Sequence, residues 1–143
     1  MRLAVLATVV LCAGALTSAA SAEPPDPCML ITVKDAAPVF GATPHRPTAK
    51  TVGGARACTF SIGHRTMTVQ TRTLASATAF AASIKTLSGL VLPIASLSDA
   101  YSAENGKEML LWKKGAEITI LFVGLDPVFA TQQTLATTAL GRV

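Results

Sequence analysis

The chain has 143 residues, with 12 Lys and Arg against 8 Asp and Glu, giving a net charge of +4 at pH 7. That length suits one domain behind a leader and excludes two full cores. Aromatic residues make up only 5% of the chain, too few to stack bases alongside the basic residues, so nucleic acid is not an expected partner.

The chain opens on Met1-Arg2, continues as an apolar run from Leu3 to Leu16 broken only by Thr8 and Gly14, and reaches Ala20-Ser21-Ala22. A positive start, a short apolar stretch and an Ala-x-Ala end are the three parts of a secretory signal peptide, with the cut expected after Ala22. The run of about 14 residues falls short of the ~20 that span a bilayer core. Cys12 lies inside it behind Leu11, where lipid attachment calls for a small residue, so no lipid anchor is expected. The polar, proline-rich segment Glu23-Pro24-Pro25-Asp26-Pro27 cannot continue a helix and leaves the scissile bond accessible. The expected layout is a signal peptide over 1–22 and a single exported domain over 23–143, periplasmic or extracellular, with no transmembrane span after cleavage.

Cys12 leaves with that leader, and Cys28 and Cys58 remain. Two cysteines in an exported chain are expected to be bridged. Closing the loop between them would contribute about 3.7 kcal/mol in the chain-entropy treatment, less any strain. Neither cysteine lies in a C-x-x-C or beside a histidine, which weighs against zinc or a reactive thiol pair.

Thr32-Val33-Lys34-Asp35 reads as a capping box opening a short helix toward Phe40, with Gly41 as its stop and Pro38 limiting it to about two turns. Residues 42–54, with two prolines and two glycines, read as a surface loop. Alternation then takes over. Cys58, Phe60 and Ile62 face one way and Thr59 and Ser61 the other, Gly63-His64 offers a turn, and the return strand buries Met67 and Val69 while Thr66, Thr68, Gln70 and Arg72 face out. From Ser76 the period becomes helical through Ala77, Phe80, Ala81, Ile84 and Leu87, with Gly89 as terminator. Residues 90–101 read as a connection around Pro93 containing a short strand. A second hairpin runs over 108–113 and 116–123 around Lys114-Gly115, its second strand apolar on both faces and therefore central. Asp126-Pro127 caps a last helix that presents Val128, Phe129, Leu135, Ala136 and Leu140. The expected fold is thus α+β, an antiparallel sheet of about four strands with helices on one face, in the order α-β-β-α-β-β-α, a rough doubling of an α-β-β unit.

Asp26-Pro27-Cys28-Met29-Leu30-Ile31-Thr32, Phe40-Gly41 and Cys58-Thr59-Phe60 resemble small exported bacterial proteins and lipoproteins of uncharacterised function. These carry a D-x-C-x-L-[LI]-T helix start and a later C-[ST]-[YF] strand. Leu97-Ser98-Asp99-Ala100-Tyr101 is similar to their Gly-Leu-Gly-Asp-x-Ala-Tyr loop, with serines at 96 and 98 where glycines would stand. The resemblance implies an α+β domain with Cys28 and Cys58 paired, and it brings no activity.

No catalytic or metal residues are nominated and no cofactor is expected. His45 lies in a proline-flanked loop and His64 in a tight turn, neither beside a glycine-framed serine, and Glu104, Glu108, Glu117 and Asp126 fall where surface acids are ordinary. Between Asp35 and Asp99 the sequence contains no acid but holds Arg46, Lys50, Arg56, Arg65, Arg72 and Lys85. This asymmetry points to an anionic envelope component or protein face as partner. The reading is a non-enzymatic binding or envelope-accessory domain using Arg56, Arg65, Arg72, Thr66, Thr68 and Gln70. Two alternatives stand beside it: a small hydrolase built on His64, and a carrier with an apolar pocket lined by Phe80, Trp112 and Phe122.

Overall fold

A computed structural model describes residues 22–143. The expected leader therefore lies, apart from Ala22, outside the described residues. Among them, no helix is long and apolar enough to cross a membrane.

Asp26 caps a single helical turn, α1 (Pro27–Leu30), its carboxylate accepting from the Cys28 N–H at 3.0 Å. Thr32 then starts α2 (Val33–Phe40) through a reciprocal box: the Thr32 hydroxyl accepts from the Asp35 N–H, and the Asp35 carboxylate accepts from the Thr32 N–H at 2.8 Å. Gly41 ends it at φ 70°, backbone that glycine adopts without strain. Three strands follow, β1 (Thr48–Val52), β2 (Ala55–Ile62) and β3 (Arg65–Thr73), then α3 (Ala77–Ile84), β4 (Leu92–Pro93), β5 (Ala100–Ala103), β6 (Glu108–Lys113), β7 (Ala116–Val123) and α4 (Phe129–Gly141).

The sheet has seven strands in the order β1-β2-β3-β7-β6-β5-β4, every neighbouring pair antiparallel. This corrects the expectation of about four strands in an α-β-β-α-β-β-α order. The added strands are β1, in the segment read as a loop, and β4 and β5, in the connection. β1 gives no alternation because every one of its residues is exposed, and β4 is two residues long. What repeats along the chain is an antiparallel meander, β1-β2-β3 and then β5-β6-β7, joined where β3 meets β7.

Helices on a single face are also corrected. Cys58, Phe60, Met67, Val69, Met109, Leu111, Ile118, Ile120 and Phe122 form one core with Leu30, Ile31, Phe40, Leu135 and Ala139, so α1, α2 and α4 cover that face. The helix α3 lies on the opposite face. Phe80, its one buried residue, packs 6.0 Å from the Trp112 ring and 6.1 Å from Tyr101, side chains of opposite parity to Leu111 and Ala100. A helix resting on one aromatic anchor covers only the β5–β6 end of its face. In α4 the buried side is Gln132, Leu135, Ala136, Ala139 and Leu140, while Val128 and Phe129, expected inside, are exposed.

The Cys28–Cys58 disulfide is formed, with the Cα atoms 5.3 Å apart, and ties α1 to β2. Replacing either Cys28 or Cys58 by Ala should cost about 2–5 kcal/mol in urea unfolding, and the oxidised protein should show no alkylatable thiol at these positions. Phe122, 4% exposed on the middle strand, should cost about 3–5 kcal/mol as Phe122→Ala, and a loss below about 1 kcal/mol would contradict its burial.

The last turn of α4 is tied back to the start of the domain. Arg142 Nη1 donates to the Leu30 carbonyl at 2.7 Å and to Asp35 Oδ2 at 2.6 Å. Burial works to raise the Asp35 carboxyl, but hydrogen bonds from Arg142 and Thr32, with the Arg142 charge, outweigh it and bring the pKa down to about 2. A folded pKa below the unfolded value of ~3.9 gives stability that is present above that value and is lost as pH falls from ~4 toward 2. Asp35→Asn should therefore be less stable than the parent by about 1 kcal/mol at neutral pH, screening considered, and denaturation midpoints of the two should converge near pH 2.

Candidate binding face and its cleft

Strand parity sorts the residues of the expected site. On β3, Thr66, Thr68, Gln70 and Arg72 share the face away from the main core, as do Thr59 and Ser61 on β2, because Thr59 stands opposite Thr68 and Ser61 opposite Thr66. The Thr59 and Thr68 hydroxyls are hydrogen-bonded at 3.1 Å. β7 continues the same face with Glu117 opposite Arg72, Thr119 opposite Gln70 and Leu121 opposite Thr68. β6 adds Glu108, Leu110 and Trp112.

The three arginines are not brought together. Arg56 and Arg65 have the parity of Cys58 and Met67 and belong to the other face. Arg56 pairs with Glu23 at 3.1 Å and Asp26 at 3.3 Å, and Arg65 donates to the Phe40 carbonyl at 3.2 Å. Arg72 remains on the open face, its Nε donating to Glu117 Oε1 at 2.5 Å and its Nη2 to the Ser83 hydroxyl at 3.1 Å. His45 and His64 are both exposed. Phe80 and Trp112 stack on one another on the open-face side, whereas Phe122 belongs to the main core, so the three do not line one pocket.

Where α3 leaves the face uncovered, a cleft of about 310 Å³ opens between the helix and the sheet. Its polar lining includes Gln70, Arg72, Ser83, Glu108, Glu117 and Thr119, with Leu87, Leu110 and Leu121 among its apolar wall. Glu117 is 3% exposed, and only one of its carboxylate oxygens has a partner, Oε2 having none. Trp112, directly across β6–β7 from Glu117, likewise has a buried indole N–H without an acceptor. Burial first, and then the charges of Glu104 and Glu117, raise the Glu108 carboxyl. Arg72 thus pairs with Glu117, and Glu108 lines the same partly desolvated cleft.

Gln70 and Arg72 were accessible to sequence reading as outward residues of an alternating strand. Glu108, Glu117, Ser83 and Thr119 were not. Glu117 falls beside a turn in sequence, and the signal that it is buried against Arg72 exists only in the pairing of β3 with β7. Among the described residues, no group of three or more His, Cys, Asp or Glu side chains is gathered as a metal set would be. Comparison with protein-family models, with curated proteins and with solved structures finds no match to this chain.

Proposed function

We propose that the chain is exported and serves outside the cytoplasm as a non-enzymatic binding domain whose contact surface is the open sheet face with its cleft. The leader-like first 22 residues and the Cys28–Cys58 bridge support export, since such bridges persist in oxidising compartments. The observation that carries binding is the cleft itself, where polar groups from β3, β6, β7 and α3 converge beside an apolar wall, the composition of a small-ligand site. The likeness to small exported bacterial proteins points the same way. Arg56 and Arg65 are spent on intramolecular partners, so the reading rests on this face and not on a gathered basic patch.

The processed chain, purified after export, should begin at Glu23 by intact mass. In amide NMR spectra, a panel of anionic, neutral and cationic envelope components should contain at least one class that shifts Thr68, Gln70, Arg72 and Thr119 saturably. The double change Gln70→Ala with Thr119→Ala should weaken that binding about tenfold. Shifts confined to the helix-covered face, or none from any class, would overturn the proposal.

A further inference from the structure

Little beyond Phe80 and one side-chain hydrogen bond joins α3 to the sheet it crosses. Before the helix, the Leu74 N–H donates to the Gly115 carbonyl at 2.8 Å, and after it the Ser88 carbonyl accepts from the Glu104 N–H at 3.2 Å. Between those two pins, residues 75–87 form a strap. Among the described residues, the backbone hydrogen bonds of this strap run only within it, as do those of the Ser76 and Thr86 hydroxyls. Ser83 is the exception, its hydroxyl accepting from Arg72 Nη2 at 3.1 Å. Ala77, Thr78, Ala81, Ala82, Lys85 and Thr86 are exposed, so the burial that holds the strap down is concentrated at Phe80.

On the face that the strap crosses, two buried polar atoms have no partner. Phe80 stacks on Trp112 at 6.0 Å, and the Trp112 indole N–H is buried without an acceptor. Arg72, which also reaches Ser83, holds Glu117 Oε1, while Glu117 Oε2 is buried without a donor. Each of these atoms has given up hydration that nothing in the closed arrangement replaces. Access of water would restore it, which favours an open arrangement at both atoms. Segments with few buried apolar contacts are also those whose local opening requires the least free energy.

We infer that residues 75–87 act as a flap. Pivoting at the Leu74 and Ser88 pins, the flap opens by lifting Phe80 off Trp112 and Tyr101 and parting Ser83 from Arg72, and water then reaches the indole N–H and Glu117 Oε2. Ser83, Thr86 and Leu87 belong both to the strap and to the lining of the cleft, so the same motion widens the cleft along its α3 wall. The flap goes beyond the binding reading above and holds whatever the cleft takes up.

Trp112, the single tryptophan of the chain, carries its own control. Its backbone N–H donates to the Asp99 carbonyl at 2.9 Å at the β5–β6 end of the sheet, while its indole is stacked under Phe80. Hydrogen exchange of the oxidised protein, followed by NMR, should show the indole N–H protected in step with the amides of Phe80 to Ile84. That protection should be at least about a hundredfold below that of the Trp112 backbone N–H and should not change with urea below the unfolding transition. Phe80→Ala should speed indole exchange at least about tenfold and leave the amides of β3 and β7 at parent protection. Indole exchange in step with the Trp112 backbone N–H would overturn the inference, because the strap would then open only with the whole domain. So would indole exchange out of step with the α3 amides, or unmoved by Phe80→Ala in a folded protein. Should that variant fail to fold, the two Trp112 protons of the parent decide the matter alone.

Discussion

Eight residues of β3, Thr66 to Thr73, pair with eight of β7, Val123 back to Ala116, and through that antiparallel seam the two meanders become one sheet. The seam sets the parity of both halves at once. Met67 and Val69 reach the main core only if Phe122 and Ile120 stand opposite them, and Arg72 meets Glu117 only in the same register. A slip by one residue would turn Met67 and Val69 to the open face and drive Thr68 and Gln70 against α1 and α4. The disulfide at Cys58 and the Arg142 link to Asp35 and Leu30 then fasten the helical layer to a sheet whose register is already decided.

The opposite face is governed by a different balance. Four alanines and one Phe make α3 a light cover: Phe80 anchors it, Ser76 caps it, and the remainder of the helix is exposed or half-buried. A cover that thin leaves β3 and β7 accessible beside it. Arg72 and Glu117 face each other there as an unequal pair, the cation half exposed and the carboxylate buried. Such a pair adds little net stability, because the attraction is set against the desolvation of the carboxylate. Its consequence is positional: Arg72 reaches Ser83 as well, linking α3 to the sheet along one wall of the cleft.

Much of this architecture was legible from periodicity. The capping box at Thr32, the alternation through Cys58 to Arg72, the cap at Ser76 and the two-sided apolar run of β7 each carry a local physical signature, and each element formed. β1 was not legible because Thr48-Ala49-Lys50-Thr51-Val52 is exposed at the sheet edge and has no buried face to betray it. The placement of α3 was hidden for a related reason, since a sequence of two antiparallel hairpins does not say which face the helix between them will cross. Most of the candidate site shared that fate. Gln70 and Arg72 announce themselves by alternation, but Glu117 becomes a site residue only through a partner 45 positions away.

The charge asymmetry has its explanation in those long-range partners. The segment between Asp35 and Asp99 lacks acids, and two of its arginines are answered by acids from outside it: Arg56 by Glu23 and Asp26, Arg72 by Glu117. Arg142, at the far end of the chain, is answered by Asp35. A local excess of one sign in the sequence is therefore converted into contacts between segments that the chain separates widely. Within the segment no acid competes for these cations, so the pairs that form select the native arrangement of the N-terminal arm and of β7 against β3. Arg46, Lys50 and Lys85, exposed and outside these pairs, remain to keep the domain's surface positive, and in that setting the acidic cleft is a local inversion of sign.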